Sequence, residues 1–182
     1  MLEFVKKPAL ILRTDRVERN IKRMKDKADR SGVRFRPHFK THQSAEIGEY
    51  YRKAGIDAIT VSSVSMAGFF AAQGWRDITV AFPVNVREID EIRASAGRIA
   101  LNLIVESEES VRLLSAGLSS GGAAAKAGVF LKIDTGYGRT GIPAGDEASV
   151  AAVAGAVSRS VNLEFRGLLA HAGHTYPAPS PD

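Results

Sequence analysis

AGVFLKIDTGYGRTGIP, residues 127–143, joins an apolar run to a glycine-rich turn, and its reading decides the fold. AGVFLKID has the length and apolar density of a buried strand. The turn carries Gly136, Gly138 and Gly141 in G-x-G-x-x-G spacing, with Glu164 at about the distance of a ribose-binding acid. In a dinucleotide fingerprint the helix starts within the motif, so that its N-terminus meets the pyrophosphate. Here Pro143 delays the helix until the last glycine has passed, and the motif follows the sixth apolar run rather than the first. The stretch reads better as a βα turn presenting Asp134, Tyr137 and Arg139 at the end of a strand. Arg139 could grip an anionic oxygen through its planar fork. The plain alternative is a tight loop whose Arg pairs with a surface acid.

Working outward, the same alternation recurs. ALILR (9–13), VRFRPHFK (33–40), DAITVSS (57–63), DITVAFP (77–83), RIALNLIV (98–105) and LEFRGLLAHA (163–172) read as further strands. Helical patterns lie between them. The first runs from Asp15, with Glu18 placed as in a capping box, to Gly32; others cover 44–54, 64–73, 86–95, 107–116 and 143–158. Seven strands and six helices at roughly 25 residues per βα unit predict an α/β fold. A (β/α) barrel, incomplete at about seven strands, is favoured over a doubly wound open sheet. Such a barrel has an open edge and is expected to self-associate. SSGGAAAKAG (119–128) reads as a small-residue surface loop, and no linker divides the chain.

Composition narrows the classes. The chain has 182 residues, 45% of them apolar, and no Cys, which excludes disulfides and thiolate metal sites. No apolar run approaches the roughly 18 residues needed to span a bilayer, and the start MLEFVKKPALILRTDR lacks the order of a signal peptide. A cytoplasmic protein without membrane contact is expected. The net charge of +5 is spread along the chain, and the basic segment 16–34 is interleaved with acids and lacks aromatics. It reads as a solvated helix face, not a nucleic-acid surface.

RPHFKTHQS (36–44) concentrates basic groups. On a strand, alternation would put His38, Lys40 and His42 on one side and Phe39 and Thr41 on the other. At the C-terminal end of a barrel strand that side faces the mouth, where catalysis occurs. Neighbouring cations and partial burial lower a lysine pKa, and a neutral lysine attacks carbonyls. The alternative is a solvent-exposed basic strand end. LLAHAGHTY (168–176) adds His171 and His174. Two His pairs, His38/His42 and His171/His174, keep a metal-dependent hydrolase barrel open, although H-x-x-H with a Gly inside is poor helical metal spacing. A hydrogen-bonded structural role for His171 stays open too.

RPHFKTHQS, KIDTGYGRTGI and GLLAHAGHTY, in this order and spacing, resemble the D-threonine aldolase and D-serine dehydratase family. These are fold-type III pyridoxal phosphate enzymes related to the alanine racemase N-terminal barrel, and the resemblance covers nearly the whole chain. It implies a PLP-dependent lyase acting on a small D-β-hydroxy amino acid, by aldol cleavage or dehydration. Lys40 would form the Schiff base with the cofactor and, once freed, act as a base near the α-carbon. His171 would lie against the pyridine ring, Arg139 would reach the ring hydroxyl or nearby anionic groups, and Tyr176 would contact cofactor or substrate. His38 and His42 would surround the Schiff base. A homodimer is expected.

Departures from the family pattern matter equally. The family's glycine-rich phosphate cup lies in its last barrel segments, and its divalent-metal ligands lie in a β-rich C-terminal domain. Neither matches a segment of this sequence. Residues 1–182 are therefore expected to form a single partial PLP-binding barrel domain, which may be inactive alone, with no metal ligand that can be named. A non-catalytic PLP-binding protein and a fragment that binds nothing are the rival readings.

Overall fold

The structure is a computed structural model that describes residues 3–120 and 125–180. Among the described residues, six α-helices, α1 (Thr14–Arg30), α2 (Ala45–Lys53), α3 (Val64–Ala72), α4 (Ile89–Ala96), α5 (Glu108–Ser119) and α6 (Glu147–Arg159), accompany the parallel strands, with α1 and α2 both preceding the first strand. The strands are β1 (Ala58–Val61), β2 (Asp77–Pro83), β3 (Ala100–Val105), β4 (Ala127–Asp134), the two-residue β5 (Ile142–Pro143) and β6 (Leu163–Ala170). They pair in the order β1-β2-β3-β4-β5, and β6 also pairs with β4. Among the described residues the sheet does not close on itself. No helix among them is long and apolar enough to cross a membrane.

Alternation along the strands builds the core. Ile59, Ile78, Leu101, Leu103, Val129 and Leu131 are buried on one face, and Phe70, Ile92 and Leu114 from the helices pack into the same cluster. Each such side chain contributes about 1.5–3 kcal/mol on burial. The other face is polar. Thr79, Asn102 and Lys132 are buried on it, and Asn102 Nδ2 donates to Asp77 Oδ1 at 3.0 Å.

Five of the seven expected strands form, and two do not. Residues 9–13 form no strand, and Leu10, Ile11 and Leu12 are exposed. Their composition suits a strand, but no neighbouring strand pairs with them among the described residues. Residues 33–40 shrink to one bridge, His38 to Thr60, with Thr60 N–H donating to the Pro37 carbonyl at 2.8 Å. Pro37 has no N–H to extend the ladder. The segment is held instead by charge. Arg36 binds Asp77 Oδ1 at 2.7 Å and Oδ2 at 3.0 Å, and Arg34 reaches Oδ2 at 2.7 Å. Burial pushes the Asp77 carboxyl up, but the two guanidiniums outweigh it and hold the carboxyl below its ordinary range.

The ends of two helices also differ from expectation. α1 starts at Thr14 without a side-chain cap, so Asp15 lies inside the first turn and pairs with Arg13 at 2.9 Å instead of capping. α6 starts only at Glu147, where the Asp146 carboxylate accepts from Ser149 N–H, because Ile142 and Pro143 extend the sheet as β5. The expected 119–128 loop lies partly outside the described residues.

Candidate functional site

The segment after Pro37 does not stay extended. Phe39–Thr41 form a single 3₁₀ turn, with the His38 Nδ1 accepting the Lys40 N–H at 3.3 Å. A 3₁₀ turn rotates each residue by roughly a third of a circle, so strand alternation fails here. Phe39 is fully buried, its ring 5.0 Å from Phe70 and 5.1 Å from Trp75. His42 goes with it rather than with Lys40, its ring 4.5 Å from Phe39 and stacked on Tyr51 at 5.7 Å. The expectation that His38, Lys40 and His42 share one side is therefore corrected. Phe39 and His42 anchor the turn, and Lys40 is left exposed.

Gln43 then takes a left-handed conformation (φ 48°), its side chain donating to the Lys40 carbonyl at 3.3 Å. This costs about 1–2 kcal/mol for a residue with a Cβ. It turns the chain into α2, whose N-cap Ser44 accepts the Ile47 N–H at 3.2 Å.

A second loop approaches from β4. Both Asp134 oxygens are occupied by the backbone: Oδ1 accepts from Gly136, Tyr137 and Gly138, and Oδ2 from Gly138, at 3.0–3.1 Å. Asp134 therefore ties the loop together rather than reaching into the mouth, which corrects its expected presentation there. These amides hold its carboxyl below the ordinary range. Gly141 (φ +114°) closes the loop, and a Cβ there would meet Asp134 N at 2.8 Å. Arg139 lies over the Tyr137 ring at 5.5 Å.

The third element follows β6. The His171 ring meets Tyr137 edge-on at 5.4 Å and Tyr176 at 5.8 Å. Tyr137 in turn lies against Gly173, where a Cβ would come within 2.8 Å of its ring. His174 is exposed on the turn Gly173–Thr175.

Electrostatics join the three elements. Burial, then the charges of Lys40 and His171, lower the His38 pKa to about 4. Burial, then Arg139, Lys40 and Lys132, lower that of His171. His38 is thus neutral near pH 7. With Nδ1 accepting, its proton is assigned to Nε2. Lys40, His38, His171 and Arg139 meet at the C-terminal ends of the strands, and Tyr176 adjoins through His171. His42 stands apart in the aromatic cluster, where burial lowers its pKa despite the Ser44 N–H on Nδ1.

Sequence reasoning missed Lys132 and Glu106. Lys132 is only 6% exposed, and its Nζ donates to the Ile133 carbonyl at 3.0 Å. A lysine flanked by Leu131 and Ile133 inside the apolar run was the available signal. Among the described residues no group of three or more His, Asp or Glu could hold a metal ion. A groove of about 670 Å³ between α3 and α4 is lined by neither Lys40, Arg139 nor His171.

Residues 12–181 match the family model described as the alanine racemase N-terminal domain. The chain is 34% identical to D-threo-3-hydroxyaspartate dehydratase of Delftia sp. (strain HT23) over 176 residues, covering 96% of this chain and 46% of that protein. The solved structure of the Delftia sp. HT23 protein superposes with a TM-score of 0.86 at 32% identity, covering 94% of this chain and 45% of that one. D-serine dehydratase of Dictyostelium discoideum is 30% identical over 186 residues, covering 96% of this chain and 46% of that protein. The crystal structure of D-threonine aldolase from Filomicrobium marinum gives a TM-score of 0.83 at 30% identity, covering 90% of this chain and 44% of that one. The chain spans about half the length of these relatives. The parallel sheet with Lys40 at its C-terminal end, and a match over nearly all its length, place this chain in the alanine racemase N-terminal domain family.

Proposed function

We propose that this chain is the lysine-bearing part of a pyridoxal phosphate-dependent lyase acting on D-β-hydroxy amino acids. The observation that carries the reading is the meeting of one exposed amine, Lys40, with His38, His171 and Arg139 at the C-terminal ends of the strands. Relatives that dehydrate D-threo-3-hydroxyaspartate or D-serine support it. The chemistry of these side chains fits the ring end of the cofactor: an amine for its aldehyde, a planar guanidinium for its phenolic oxygen, an imidazole for its face.

When bound, pyridoxal phosphate supplies the electron sink that lets a bond at the substrate α-carbon break. Lys40 would hold the cofactor through its amine, and the same amine would serve as a base towards the substrate α-proton. His38 stays neutral, so it adds no positive charge beside that amine, and its hydrogen bond to the Lys40 N–H orients the turn. Arg139 would fix an anionic oxygen through its planar guanidinium. His171, braced edge-on by Tyr137 and Tyr176, would present its ring to the cofactor. His42 positions Lys40 only through Phe39 and the turn.

The resemblance also implies a divalent metal. No cluster among the described residues fits one, so no step is derived through it. Residues 1–182 act as one domain in this reading, with phosphate cup and metal ligands supplied from outside the matched stretch. A homodimer in the cytoplasm completes the reading.

The test is covalent. Incubation with pyridoxal phosphate, borohydride reduction and peptide mapping should place one pyridoxyl label on Lys40. A label distributed over surface lysines, or none on Lys40, would sink the reading. A labelled protein that leaves D-threonine, D-serine and D-3-hydroxyaspartate unchanged would instead favour the non-catalytic binding protein.

A further inference from the structure

Glu106 follows β3 directly, and its Oε2 is shut off from solvent without a hydrogen-bond partner. A buried carboxylate oxygen in that state is costly and calls for a counter-charge. Val105 pairs with Leu131 where β3 ends, so the register continued by one residue brings Glu106 towards Lys132, and the Glu106 charge acts on that lysine. Val105 and Leu131 belong to the helix-side core, so alternation turns Glu106 and Lys132 to the opposite, polar face.

Lys132 is buried and spends one of its three protons on the Ile133 carbonyl. Burial pushes its pKa down, Asp134 draws it up, Arg139 pushes it down, and Glu106 draws it up. Asp134 is the other acid in reach, but its oxygens already serve Gly136, Tyr137 and Gly138. Glu106 is the acid whose buried oxygen is still unspent.

We propose that Glu106 is a positioning residue of the site: it is the counter-ion of Lys132, joined to it through one water, and the pair holds the Lys132 ammonium in place within reach of the Arg139 charge. The pairing stands on this chain alone; its consequence for the cofactor rests on the proposed function. With Glu106 as its partner, the buried Lys132 is balanced, and Arg139 is left free to turn its guanidinium to an anionic group at the mouth. Without Glu106, Asp134, already engaged by the amides of its own loop, is left to offset both Lys132 and Arg139.

Competitive trace labelling with acetic anhydride over a pH series, read by peptide mapping on the cofactor-free chain, tests the pairing. In Glu106→Gln the pH midpoint for Lys132 should fall by about one unit, the scale of losing one close opposite charge. Glu106→Asp should recover most of the shift, and the exposed Lys126 should not move. An unchanged Lys132 midpoint in folded Glu106→Gln overturns the proposal. If that variant does not fold, Lys132→Met serves: the Glu106 carboxylate, followed by its carbon-13 resonance, should then titrate at higher pH than in the wild type, and an unchanged titration overturns the pairing. Pyridoxyl labelling of Lys40 is measured in parallel. Failure to label the wild type counts against the proposed function and leaves the Lys132 result standing. Equal labelling of wild type and Glu106→Gln at every cofactor concentration removes the positioning role and leaves the function intact.

Discussion

The backbone N–H of Lys40 donates to the imidazole Nδ1 of His38, two residues earlier, at 3.3 Å. This one bond ties the orientation of the reactive turn to the protonation state of a histidine. A protonated His38 has no lone pair on Nδ1 and would lose the bond.

A pH dependence follows. His38 has its pKa lowered to about 4, chiefly by burial, and His42 is lowered for the same reason. Above the ordinary histidine value of 6.5 both are neutral, folded or unfolded, and neither weakens the fold. As pH falls below 6.5 the unfolded chain binds protons that the folded chain resists, so stability is lost progressively towards pH 4. Melting temperature measured from pH 8 to pH 4 should drop across that window. His38→Asn and His42→Asn should each flatten the slope, and a wild-type profile level between pH 6.5 and 4 would contradict the burial of both rings.

The anchor of the Lys40 turn is Phe39, buried against Tyr51, Phe70 and Trp75. Phe39→Ala should cost about 3–5 kcal/mol in urea unfolding, as for other buried aromatic truncations. Hydrogen exchange at residues 38–44 should speed up more than in β3. Loss below 1 kcal/mol would mean that the turn is held by the Arg36–Asp77 clamp instead.

Gly141 is the position where the β4 loop depends on a missing side chain. Its φ is +114°, and a Cβ would press on Asp134 N at 2.8 Å and Ile133 C at 2.9 Å. Gly141→Ala should destabilise by more than about 1 kcal/mol, and it should displace Arg139 from the Tyr137 ring. A chemical-shift map with Tyr137 and His171 unperturbed would count against this loop geometry.

Among the described residues, β6 pairs on one side only. β6 pairs with β4, and Phe165 and Leu168 on it are 43% and 58% exposed. A long unpaired parallel edge with exposed apolar residues recruits another chain. The 182-residue chain alone should form dimers or larger species in light scattering. Charged residues at these two positions should shift it towards monomer. A monodisperse monomer at tens of micromolar would show that the edge is covered otherwise.

Much of this protein was legible in its sequence because the signals were local. The runs at 57–63, 77–83, 98–105, 127–134 and 163–172 each declared a strand by their unbroken apolar content, and the helices between them by their spacing. The grouping of Lys40, His38, Arg139, His171 and Tyr176 followed from strand ends pointing one way, since parallel strands gather at one face whatever their side chains. Residues 9–13 and 33–40 misled for the opposite reason. Their composition suits a strand, but a strand exists only where a neighbour completes its hydrogen bonds, and Pro37 removes one donor.

The tertiary structure alone decided the rest. His42 looked like a partner of Lys40 until a 3₁₀ turn rotated it into the aromatic cluster, a turn selected by the burial of Phe39 against residues 30 and more positions away. Asp134 looked like a mouth residue until the backbone amides of its own loop claimed it. Glu106 and Lys132, 26 positions apart in the chain, come within electrostatic reach only because β3 runs alongside β4. Short-range order needs only adjacent residues, so the sequence determines it. Which distant charges meet depends on how strands align, and that is settled only when the sheet forms.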